Sequence, residues 1–239
     1  MENLYWSGGQ REIFFTDPKD PHYLLDSIFV WRYGNATYYA TVALLLFVAL
    51  SGLLIKNDLF RARWGFIAVA LAILPAICEW IVGIRFPWPM KFLIALALVM
   101  HMSGGIFEFY FTYYPVYDKL CHLVSAMAIT LLVFVTILVL AGETGRNFRR
   151  MTVVAGVFTT VIALGLAWEF VELHVDFLSG TSYFVDPTDS FFDTIFNIIG
   201  TTFVVVTINK YLKRESLLSL YRRWVPWKRY GQGSAEKGL

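Results

Sequence analysis

Residues 119–141 read KLCHLVSAMAITLLVFVTILVLA, twenty-three residues in which only Lys119 and His122 can carry charge near neutral pH. An α-helix of about 20 apolar residues rises through the roughly 30 Å hydrocarbon core of a bilayer with its own backbone hydrogen bonds satisfied. The stretch is too long for a buried strand, so it reads as a transmembrane span. Working outward, windows of about 19 residues find five further stretches of the same kind, at 36–55, 65–84, 90–107, 151–176 and 189–209. The expected fold class is therefore all-α: a polytopic membrane helical bundle with six transmembrane helices over residues 36–209. An N-terminal cytoplasmic or interfacial segment (1–35) precedes it and a basic cytoplasmic tail (210–239) follows.

Composition agrees with this class. Of 239 residues 57% are hydrophobic and 16% charged, with a mean hydropathy of +0.58, against about 25% charged residues in soluble domains. Six spans use about half the chain and leave no room for a second domain, and no repeat of 20–50 residues is visible. Residues 1–35 hold no compact apolar run beside a cleavage site, so the first membrane helix is expected to do the targeting. Tyr23–Tyr33 has the aromatic content of an interfacial stretch. The two cysteines, Cys78 and Cys121, fall inside spans and form no CxxC pair. They read as small packing residues.

Six spans put both termini on one side. That side collects sixteen Lys/Arg; the other has Lys56, Arg61, Arg63 and Lys119. The positive-inside rule then places both termini in the cytoplasm of a cell (inner) membrane, with the loop after the first helix dissenting. The tail interleaves Arg222, Arg223, Lys228 and Arg229 with Trp224, Trp227 and Tyr230. Its expected partner is the anionic cytoplasmic leaflet and its lipids rather than nucleic acid.

Against this apolar background the remaining ionisable residues stand out. His101 lies near the end of the third span. Asp118 and His122 open the fourth, Glu169 and Glu172 close the fifth, and Asp189 and Asp193 open the sixth. All face the extracytoplasmic side in this topology. Asp118 and His122 are i, i+4; Glu169 and Glu172 are i, i+3, with Asp176 four residues on. Asp189, Asp193 and Asn197 form an i, i+4, i+8 stripe that ends at Gly200, which permits close helix contact. Charge inside a membrane is costly and marks a functional site by default. Inward-facing Glu and His on several helices are also how helical bundles build metal sites.

Carboxylates with imidazole suit Zn, Mn, Fe or Mg. Asp118, His122, Glu172, Asp193 and Asp189 are the candidate ligands. Glu169 is the candidate general base, and His101 a group that orients substrate or completes the shell. Without a metal, the same carboxylates would share protons in acid/base work or a relay. The structural alternative is that Asp118 and Asp189 cap helix starts. Nothing indicates a nucleotide or organic cofactor: there is no Walker loop or dinucleotide fingerprint, and no GxSxG elbow or HExxH either.

Weaker signals complete the reading. Ser103 and Ser125 are candidate nucleophiles, although hydroxyls in membrane helices usually bond the backbone. His174 lies off the acidic stripe and reads equally as a solvated histidine. Residues 107–114 (FEFYFTYY) suit an outer aromatic belt. Pro75 predicts a kink, and Glu79 is expected to cap a freed backbone group or pair with Arg85.

His101-x-x-Gly104-Gly105, Tyr117-Asp118-x-x-x-His122, Glu169-x-x-Glu172 and Asp189-x-x-x-Asp193 with Asn197 and Gly200 together resemble the YjdF-type family of uncharacterised inner-membrane proteins. The likeness covers roughly residues 95–205. The later part also resembles VanZ-like proteins linked with glycopeptide resistance. The resemblance implies a six-helix membrane protein with a polar cluster and no established activity. This chain departs from it at 184–189 (FVDPTD), where family members carry a Gly-Gln-Gly-Asp-like run. Three functions follow from the residues: a metal-dependent hydrolase or transferase on a lipid or lipid-linked envelope substrate, a transporter or ion/proton pathway, or an accessory membrane subunit.

Overall fold

The computed structural model describes residues 28–82, 86–179 and 187–224. Residues 1–27, Arg85, the 184–186 part of the divergent loop, the side chain of Asp176 and the tail beyond Trp224 lie outside the described residues. Eight helices follow in order: α1 (Ile28–Leu54), α2 (Leu59–Val82), α3 (Trp88–Ile106), α4 (Phe109–Thr112), α5 (Val116–Thr144), α6 (Arg150–Ser179), α7 (Pro187–Arg214) and α8 (Leu217–Trp224). Six of them, all but α4 and α8, are long and apolar enough to cross a membrane.

Five of the six begin earlier than their apolar windows by two residues or more, and α6 by one. α1 starts at Ile28 rather than 36, α2 starts at Leu59 and takes in Arg61 and Arg63, and α7 continues through Lys213 and Arg214. Hydropathy senses where hydrocarbon ends, whereas a helix ends where its backbone bonds end. Proline and glycine mark several of those ends. Pro89 sits in the first turn of α3 and Pro187 opens α7, positions where a missing N–H costs nothing. Gly145 closes α5 in the left-handed conformation at φ +65°, returning its N–H to the Ala141 and Gly142 carbonyls.

The helices pack as two groups. α1, α2 and α3 lie against one another; α5 is the centre of the second group, with α6, α7 and α8 on it, and α3 packs on α5 to join the two. Tyr38, Leu45, Ala68, Ala72, Ala95 and Val99 form the core of the first group. Phe134, Leu138, Val157, Val161, Val204 and Ile208 belong to that of the second. α8 seats Leu217 and Leu220 in this second core, and Tyr221 lies over Gly142 and donates to Glu143 at 2.7 Å.

At the end of the first group, Glu79 takes a partner the sequence did not suggest. Its carboxylate accepts from the Phe86 N–H at 2.6 Å and from Lys91 Nζ at 2.9 and 3.0 Å. Lys91 is 1% exposed and lies 5.3 Å from the Tyr38 ring centroid. Tyr38 in turn donates to the Ala72 carbonyl at 2.8 Å, across from the helical turn that contains Pro75. Lys91 reaches the carboxylate because α3 folds back along α2, and the N–H that this carboxylate accepts belongs to Phe86, in the connection beyond α2.

Candidate metal centre

At the opposite end of α3 the sequence-selected residues of α5, α6 and α7 come together. Asp118 and His122 project from the first turns of α5 toward Asp193 of α7. His122 Nε2 lies 3.5 Å from Asp193 and 3.8 Å from Asp118. Ligand atoms of Asp118, His122 and Asp193 lie within 4.8 Å of one another, and so do those of His122, Glu169 and Glu172. His122 therefore belongs to both groups. α5 and α7 can approach this closely because Gly200 faces the Leu123 carbonyl, which a Cβ there would meet at 2.5 Å.

The first group already holds a cation of its own. Lys119, counted above as an outer-loop charge, is buried, with its ammonium 2.5 Å from Asp189, 2.7 Å from Asp193 and 3.0 Å from Asp118. An ammonium has three N–H donors, and here three carboxylates receive them. Tyr114 donates to Asp189 at 3.1 Å as well. Sequence reading missed this role for Lys119. The available signal was that acids clustered inside membrane helices cannot stay ionised without a counter-charge, and Lys119 is the one cation adjacent to them.

The second group has no such counter-charge among the described residues. Glu172 accepts from Trp168 Nε1 at 2.7 Å. Glu169 is 9% exposed, and its Oε1 is buried without a hydrogen-bond partner. An orphaned carboxylate oxygen beside a second carboxylate and an imidazole is expensive as it stands. A divalent ion fits it: the donors are one nitrogen and two carboxylates, a set suited to Zn, Fe or Mn.

His101 stands apart from both groups. Its Nδ1 is 2.5 Å from Tyr110 Oη and its Nε2 is 3.0 Å from Ser125 Oγ. Gly104 makes this arrangement, since a Cβ there would fall 2.4 Å from the Tyr110 ring. Burial holds the Tyr110 hydroxyl protonated well above the usual phenol range. The aromatic run thus has two roles. Phe111 and Tyr113 are exposed as a belt requires, whereas Tyr110 turns inward and meets Tyr117 edge to face. Ser103 bonds the Val99 carbonyl at 2.6 Å, and the exposed His174 bonds that of Phe170 at 3.1 Å.

Below the site the bundle closes. Asn197 and Thr201 continue the α7 stripe inward and are buried. Phe134, Val161 and Val204 then fill the interior, about 12–18 Å along their helices from His122, Glu169 and Asp193. The polar cluster is backed by an apolar layer.

No curated protein and no solved structure matches the chain. Residues 37–214 match the family model described as "Predicted membrane protein (DUF2238)". That match takes in all four polar helix ends and about three quarters of the sequence, and the chain belongs to this family of membrane proteins.

Proposed function

We propose that His122, Glu169 and Glu172 hold a divalent cation, and that the protein uses it for hydrolysis or group transfer on a lipid or lipid-linked envelope substrate. The observation that carries this reading is the buried, unpartnered Oε1 of Glu169 inside a His/Glu/Glu group. Charge supports it too. Five carboxylates share one ammonium, and that ammonium is fully taken up by Asp118, Asp189 and Asp193. In this proposal Glu169 is a ligand rather than a free base. Asp118 and Asp193 orient His122 from outside, as carboxylates commonly do for metal-bound imidazoles. A bound divalent ion supplies Lewis acidity to water or to a substrate oxygen.

The apolar layer behind the cluster favours a one-sided site over a transport pathway, which calls for a site near the midplane that both sides can reach. The charge bias supports an extracytoplasmic opening. Setting aside the buried Lys91 and Lys119, one from each side, leaves fifteen Lys/Arg against three. The likeness to YjdF-type and VanZ-like proteins belongs with the same reading, because its motifs are the residues of this cluster.

The test is titration of chelator-stripped protein in detergent with Zn²⁺ and Mn²⁺, read by calorimetry and elemental analysis. One ion per chain is expected. Glu169→Gln should weaken binding by more than about 100-fold, beyond the usual cost of losing an outer-shell partner. Asp189→Asn, which lies in the Lys119 group, should weaken it far less. Equal affinity in both variants, or no binding in the parent protein, overturns the proposal.

A further inference from the structure

Hydroxyls in the described helices mostly turn back on their own backbone. Ser51, Ser103 and Thr130 donate to the carbonyl four residues earlier at 2.6–2.8 Å. Ser125 instead faces His101 Nε2 at 3.0 Å across the α3–α5 contact. His101 Nδ1 is held by Tyr110 Oη at 2.5 Å, and the Tyr110 hydroxyl lies within hydrogen-bonding reach of Cys121. In the tautomer whose Nδ1–H donates to Tyr110 Oη, Nε2 keeps its lone pair toward the Ser125 O–H. Nucleophile, base and orienting group in hydrogen-bonded sequence are the geometric signature of an activated serine.

We propose that Ser125 is a nucleophile, with His101 as its general base and Tyr110 as the positioning residue, acting on a carboxylic ester of a membrane lipid. The ester class follows from what lies beside Ser125. Ile129 and Leu132, at i+4 and i+7 on the same face of α5, are half-buried and 44% exposed respectively. Ile129 packs partly into the second core and Leu132 stays open beside it, so an acyl chain of the substrate would lie along this apolar side of α5. In the step, Ser125 Oγ attacks the ester carbonyl carbon and its proton passes to His101 Nε2. The ester C–O bond breaks and the alcohol leaves with that proton. Water then attacks the acyl-serine, giving one proton to His101, and the fatty acid departs as Ser125 Oγ regains a proton.

This proposal does not depend on the cation at His122, Glu169 and Glu172, and the test separates the two. Full-length protein in detergent is treated with a long-chain alkyl fluorophosphonate, which forms a serine O–P bond and expels fluoride, and adducts are located by mass spectrometry. One adduct on Ser125 is expected, in chelator-treated and metal-loaded protein alike, and Ser125→Ala removes it. His101→Gln should slow labelling by about 100-fold or more, the usual worth of a general base. Tyr110→Phe keeps the ring over Gly104 but not the hydroxyl. It should slow labelling with an unchanged melting temperature, so it carries the test if His101→Gln does not fold. No adduct in folded parent protein, an adduct only elsewhere, or labelling indifferent to Tyr110→Phe overturns the assignment.

Discussion

Lys119 is where a single side chain changes the reading of the whole cluster. Three carboxylates within 3.0 Å of one buried ammonium form an ion-pair network in which every donor is used. Removing one partner of a buried pair leaves uncompensated charge and typically costs about 3–5 kcal/mol. Lys119→Met is therefore expected to lower the melting temperature in detergent markedly. With the His122, Glu169 and Glu172 site saturated with Zn²⁺ throughout, added millimolar Ca²⁺ should restore part of that loss in the variant and none of it in Asp189→Asn, because only the variant leaves all three carboxylates free to take up a cation. Thermal denaturation with and without added Ca²⁺ checks this. The residue types were legible in the sequence: Asp118, His122, Glu169, Glu172, Asp189 and Asp193 stand out as ionisable groups in apolar spans, and their helical spacing groups them. The partition among them was not, because which acids the ammonium neutralises depends on Nζ–O distances across α5 and α7.

Some glycines here sit where helices meet and others face open space. Gly200 lies against the Leu123 backbone, which cannot move aside, while Gly105 has nothing within 4 Å of where a Cβ would stand. Overpacking of this kind costs about 1–3 kcal/mol, whereas Gly to Ala inside an open helix gains up to about 1 kcal/mol. Gly200→Ala should thus destabilise the α5–α7 contact and Gly105→Ala should leave stability equal or higher. Melting curves of the two variants in one detergent compare them directly. From sequence, Gly200 was expected to permit a close helix contact and it does. Gly104 and Gly105 looked alike in the HxxGG motif. Only the Tyr110 ring, brought back over α3 by the turn at Glu108 (φ +63°), distinguishes them.

Across the whole molecule, the Lys91–Glu79 pair and the His101–Ser125 contact sit toward opposite ends of α3. Ten residues of helix separate Lys91 from His101, about 15 Å along α3. Orientation decides which of them meets the outside. With the termini cytoplasmic, Thr112→Cys at the exposed tip beside the candidate metal centre should react with a membrane-impermeant maleimide in intact cells. Arg146→Cys, in the α5–α6 connection, should react only after permeabilisation. The reverse pattern would put the pocket in the cytoplasm and remove the envelope-substrate reading.

The sequence by itself determined the class, the number of spans and the identity of the polar residues. Hydrophobic length and the cost of charge in hydrocarbon are local properties that a window of residues carries in full. Tertiary structure alone decided that Lys119 closes one group of acids while Glu169 stays open in another, and that Ser125 faces a histidine twenty-four residues away. Those are through-space pairings between helices. Their energies depend on ångström separations that neither composition nor spacing along one chain encodes.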